Sequence, residues 1–170
     1  IYRVNDILDM EGKVDYTAKS ALNTGDALME FFPEIESSTQ VLNVSKQTIR
    51  IADELYATEQ VIYADSNYFT FFTHDFLRGN PATALDGPGK AVIASSVAEA
   101  YFGSVENAID NTMEVNKQDF IVTGVYNDRA FRTHIPHKIF LSMASHTPEF
   151  LRQRNREFMW ITCYTYVQFR

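Results

Sequence analysis

The chain has 170 residues, 45% of them hydrophobic and 14% aromatic, with a formal net charge of −7. That length fits one domain, with two small lobes as the alternative, and the composition excludes a generally disordered chain. An acidic balance argues against nucleic-acid binding, and the single cysteine, Cys163, excludes an intrachain disulfide.

In chain order, "IYRVNDI" reads as a strand from its β-branched and aromatic content. Residues 24 to 32 read as a short amphipathic helix: Thr24 caps it, Asp26 favours its N-terminal dipole, and Leu28, Phe31 and Phe32 share a face. Pro33 ends it. "VLNVSKQTIRIA" and "EQVIYAD" read as two strands around an acidic turn at Asp53 and Glu54. The spacing of Tyr68, Phe69, Phe71, Phe72 and Phe76 suits a core turn, with a ligand pocket as the alternative. "NPATAL" predicts a single helical turn, with Asn80 as cap and Pro81 at the first position, and "AVIA" a short buried strand. In "SVAEAYFG", Ser96 and Glu99 have the spacing of a capping box, and Gly103 can take the left-handed conformation that stops a helix. Val97, Ala98, Tyr101 and Phe102 fall on its buried face. "MEVNKQDFIVTGVYND" predicts a hairpin turning at Asn116 to Asp119, and "KIFLSM" a strand. A helix over 148–158 has Thr147 as cap and Pro148 in first place, and Arg152, Arg154 and Arg156 spread around it as a solvated face. "WITCYTYVQF" is a final strand that buries Cys163 as an inert thiol. Strands and short helices alternate without long βαβ spacing, which predicts an α+β fold with a mixed sheet.

No stretch approaches the ~18 consecutive apolar residues that span a bilayer. The opening residues lack the basic segment and cleavage site of a signal peptide. The chain begins and ends in strand-like sequence without an initiator Met, so it is expected to be a piece of something longer.

The search for chemistry assigns no catalytic, cofactor-binding or metal-binding residue. "DGPGKA" misses the phosphate-binding loop: Ala84 stands where the first Gly belongs, Ala91 follows Lys90 where Ser or Thr would hold magnesium, and a strand follows instead of a helix. His134 and His137 are three apart, but Pro136 lies between them and no Cys or acidic cluster completes a zinc site. His74 and His146 stand apart from them. There is no GxSxG, HExxH, EF-hand loop or CxxC.

Ordered motifs carry a resemblance instead. These are "FFPEIE" (Phe32 to Glu36), "DSNYFTFF" (Asp65, Asn67, Phe69, Phe72), "RGNPATAL" (Gly79, Asn80, Pro81, Ala84, Leu85), "AEAYFG" (Ala98, Tyr101, Phe102, Gly103), "VTGV" (Val122, Gly124, Val125) and "THIP" (Thr133 to Pro136). Together, over residues 2 to 169, the chain resembles the periplasmic core domain of MacB-like, FtsX-related ABC transporter permeases of the Bacteroidetes type. It departs from that pattern at His137-Lys138, where the family has Phe-Asp, and it stops where the family runs on through further periplasmic sequence.

The resemblance implies a non-catalytic extracytoplasmic domain at the periplasmic face of the inner membrane, without cofactor. It would couple hydrolysis by a cytoplasmic ABC ATPase to export or lipoprotein handling. The implied partners are that ATPase, a periplasmic adaptor or lipoprotein, and a second permease copy. Two other readings stay open: a ligand-sensing domain for a peptide or small hydrophobic molecule, and a stand-alone enzyme.

Overall fold

The computed structural model describes residues 1–10, 12–44, 46–58, 61–129, 135–147, 149–150 and 162–170. In chain order the elements are β1 (Tyr2–Arg3), β2 (Asp6–Met10), β3 (Lys13–Thr17), α1 (Thr24–Phe31), β4 (Ile35–Asn43), β5 (Gln47–Ile51), β6 (Glu54–Thr58), β7 (Val61–Ala64), α2 (Tyr68–Phe71), β8 (Phe76–Gly79), β9 (Lys90–Ala94), α3 (Ser95–Phe102), α4 (Val105–Ala108), β10 (Thr112–Val115), β11 (Gln118–Tyr126), β12 (Ile139–Ser142), a 3-10 turn (Met143–Ser145) and β13 (Cys163–Phe169). They fall into two compact units: Ile1–Asn43 with His146–Arg170, and Val44–Ser145.

In the first unit β13 pairs antiparallel with β4, and β1 pairs antiparallel with β13. The helix α1 packs on β4 through Gly25, where an added Cβ would lie 2.9 Å from Ser38 Oγ. A buried polar seam ties the strap before α1 to the sheet. Gln40 Nε2 donates to Ala21 O (3.0 Å) and to Thr165 Oγ1 (2.6 Å), and Ser20 Oγ lies 2.5 Å from Thr165 Oγ1. Ser20 N and Cys163 O pair at 2.7 Å. Such a seam fixes one register because any slip would strand buried polar groups. The strands β2 and β3 form a separate two-stranded ribbon.

The second unit holds a mixed sheet in the order β7-β12-β9-β11-β10-β5-β6. The β12–β7 and β11–β9 pairs are parallel, and the others are antiparallel. β8 joins the C-terminal half of β11, on the margin whose other half pairs β10. β7 and β12 are buried along their whole length, and β9 from Ala91 on. This explains why they read as continuous apolar runs and not as alternating ones.

Several expectations hold. The mixed sheet with few short helices matches the α+β reading. Asn116 and Lys117 turn the β10–β11 hairpin with φ of 49° and 68°, as a two-residue primed turn requires. Gly103 ends α3 at φ 80°, and Cys163 is buried.

Others are corrected. "IYRVNDI" is not one strand but β1 and the start of β2. "VLNVSKQTIRIA" splits between β4 and β5, and β6 intervenes before β7, so the Asp53 turn closes the β5–β6 hairpin. Asn23, not Thr24, sits at the cap position of α1, and its side chain makes no cap bond. Phe31 and Phe32 do not bury with Leu28; they are 73% and 51% exposed. The Ser96–Glu99 capping box does not form, because α3 begins at Ser95 and a distant carboxylate supplies the cap. Phe102 is half-buried. Phe150 N donates to Thr147 Oγ1 at 3.1 Å, as the expected cap would. The rest of the 148–158 helix, with Arg152, Arg154 and Arg156, lies outside the described residues, as does His134.

Candidate functional site

Most of the motif residues, those from Asp65 to Val125, lie in the second unit and serve there as packing devices. Tyr68 and Phe69, 1% and 2% exposed, contact Phe140 with ring centroids at 4.9 and 5.1 Å. Phe76 and His74 close on Phe69 at 5.0 and 4.9 Å. The rings pack against one another, as the core-turn reading expects. His74 Nδ1 lies 2.8 Å from Phe72 O, and burial lowers the imidazole's pKa more than that contact raises it.

Gly79 and Gly124, 45 residues apart in sequence, are register partners where β8 crosses β11. A Cβ on Gly79 would stand 2.3 Å from Thr123 O, and one on Gly124 would stand 2.7 Å from the Phe76 ring. Gly79 also holds φ 86°, which side chains disfavour. The turn after it is helical for one residue pair, with Ala84 N on Asn80 O (2.9 Å) and Ala82 N on Asn80 Oδ1 (3.0 Å). It is sewn to the sheet by Thr123 Oγ1 on Ala84 O and Ser142 Oγ on Leu85 O.

The Gly-Pro-Gly-Lys loop is likewise occupied with its own protein. Gly89 N donates to Ser145 Oγ (3.0 Å), and Lys90 Nζ reaches Asp86 Oδ1 (2.5 Å) and Thr83 O (3.2 Å). The amide and the ammonium that a phosphate would need are both spoken for.

The most charged corner lies at the start of α3. Asp128 Oδ1 accepts from Ser95 Oγ (2.9 Å) and Ser96 N (3.2 Å), and its Oδ2 accepts from Ser96 Oγ (2.6 Å). Lys138 Nζ stands 3.3 Å from Oδ2 and 3.0 Å from Ser96 Oγ. Burial pushes the Asp128 carboxyl up, but the bonds from Ser96, Ser95 and Lys138 outweigh it and hold the pKa at about 2. Arg129 adds a pair to Glu99 at 2.5 Å. This is a helix cap supplied from 32 residues away, so no local pattern announced it. Lys138, which departs from the family's usual residue, serves as counter-charge. Among the described residues, Asp128, Ser95, Ser96 and Lys138 pair with one another, and Arg129 pairs with Glu99. Burial holds the imidazole of the half-buried His137 below its usual pKa, and its sequence neighbour His134 lies outside the described residues. Among the described residues no group of three or more His, Cys, Asp or Glu gathers as a metal site would require.

The first unit carries the best candidate for contact with another molecule. An open groove of about 710 Å³ runs beside β13. Tyr2, Val4, Val167 and Phe169 form one side, Leu28 of α1 and Phe32 just after it another, and Ile35 closes it at the start of β4. Its placement follows from local chemistry. Leu28 and Phe32 are four apart, one helical turn, and Tyr2/Val4 and Val167/Phe169 are two apart, so each pair shares a face. Phe32 N on Leu28 O (2.9 Å) and Ile35 N on Phe32 O (3.0 Å) fold the chain around Pro33 into β4. Tyr2 meets Phe169 edge to face at 5.5 Å. Tyr2, Phe32 and Phe169 stay 65%, 51% and 47% exposed. The sequence puts Leu28, Phe31 and Phe32 on one face of an amphipathic helix and IYRV and YVQF in strands, without bringing them together. The period-two apolar pattern at both termini was the available signal.

Comparison with known proteins agrees with this picture of a packed scaffold. The family model described as MacB-like periplasmic core domain matches residues 4–170. No curated protein matches the chain. A domain of a candidate permease protein from Porphyromonas gingivalis is similar in structure, with a TM-score of 0.76 and 18% identity over 91% of this chain and 70% of that one. The periplasmic region of MacB from Actinobacillus actinomycetemcomitans gives 0.65 and 18%, over 88% of this chain and 64% of that one. The extracellular domain of the noncanonic ABC-type transporter YknZ from Gram-positive bacteria gives 0.60 and 15%, over 89% and 74%. At these identities the structural likeness is one of fold, while the family match spans nearly the whole sequence. The chain therefore belongs to the MacB-like periplasmic core domain family, the extracytoplasmic domains of MacB-like ABC transporter permeases.

Proposed function

We propose that this domain is a non-catalytic coupling part of its permease. It passes the motion of a cytoplasmic ABC ATPase, reached through the full-length protein, to export or lipoprotein handling in the periplasm. It works as one extracytoplasmic domain at the periplasmic face of the inner membrane. A periplasmic adaptor or lipoprotein and a second permease copy are its contacts there, and it needs no cofactor. The observation that carries this reading is the chemistry of the groove. Six of the seven side chains that line it are wholly apolar, and the seventh, Tyr2, adds only its phenolic hydroxyl. Such a surface can bury area against an apolar partner, but it cannot orient a reacting group or read a polar ligand, which takes a few convergent polar groups.

A second reading places a small hydrophobic molecule in the same groove, because about 710 Å³ lies within the usual ~300–1,000 Å³ of ligand pockets. Crosslinking in cells separates the two. Photoreactive probes at Phe31 and Phe32 in the full-length permease should capture protein, and the capture should change when the partner ATPase is inactivated by mutation. Probes that capture no protein, together with a hydrophobic molecule that copurifies and is released by Phe32→Glu, would replace the first reading with the second.

A further inference from the structure

We draw no further inference here: the strongest candidate, the apolar groove between β1, α1 and β13, belongs to the site already described, and nothing in the structure shows what covers it.

Discussion

The two units handle their apolar side chains in opposite ways. The second unit closes on itself: Tyr68, Phe69, Leu85, Phe120 and Phe140 are at most 2% exposed, and its charged corner is internally paired. The first unit buries Val41, Leu42 and Tyr166 but leaves many other large apolar groups out. Among the described residues, nine of the twelve exposed large hydrophobic side chains belong to it, including Tyr2, Tyr16, Phe31, Phe32 and Phe169. Scattered exposure is ordinary, but several aromatic groups around one groove make it the candidate contact surface of the proposed function. On the proposed function, the second unit's core chiefly supplies stability and the first unit's surface supplies the contact.

Substitution can break this contrast. Phe69→Ala should cost about 3–5 kcal/mol in denaturant melts, the usual range for a buried Phe, whereas Phe32→Ala should change stability by no more than about 0.5 kcal/mol. Similar losses at both positions would mean that the groove is part of a core. Gly79→Ala comes next, at more than about 2 kcal/mol, because it combines a left-handed backbone with a contact to the Thr123 carbonyl. A mild effect there would show that β8 can slide along β11.

Asp128→Ala should cost about 1–2 kcal/mol through the lost cap of α3. Its pH dependence has a defined sign. The folded carboxyl is depressed, so the stabilisation is complete above the ordinary value of 3.8 and is lost as pH falls towards about 2. The wild-type minus Asp128→Ala difference should therefore shrink across that interval. A difference that stays constant would show that the cap does not depend on charge. The smallest effect belongs to His74. Its folded pKa is lowered, so the folded state holds fewer protons than the unfolded one just below pH 6.5, and stability should decline as pH drops through that value. His74→Gln should flatten the decline; an unchanged slope would assign it to other groups.

Much of the second unit was legible because its signals are local. Gly103 at a helix end, Asn116-Lys117 at a hairpin and the apolar runs of β9 and β12 each obey a short-range rule. Phe102 shows the limit: helical spacing placed it on the apolar face, but spacing cannot tell how much of that face another element covers. The Asp128 cap replaced the expected Ser96–Glu99 box because a partner distant in sequence offered a charged acceptor to the same amides. Gly79 and Gly124 were legible as motif residues, but their meeting across β8 and β11 was not, because register is a tertiary property. The groove was least legible. Phe31 and Phe32 satisfy the pattern of a buried helix face, and only the packing of α1 through Gly25 on Ser38 shows that the face stays open.

On the proposed function, the open face of the first unit becomes a contact surface in the assembled permease. Thiol labelling tests it without knowledge of the partner, since the native Cys163 is buried. Labelling rates of Phe32→Cys, and of Leu55→Cys on the second unit as reference, would be measured in this isolated chain and in the full-length permease in membranes. Labelling at position 32 should slow at least about tenfold in the permease, as burial in a packed interface core would impose, while position 55 keeps its rate. Equal rates at position 32 in both settings would contradict it.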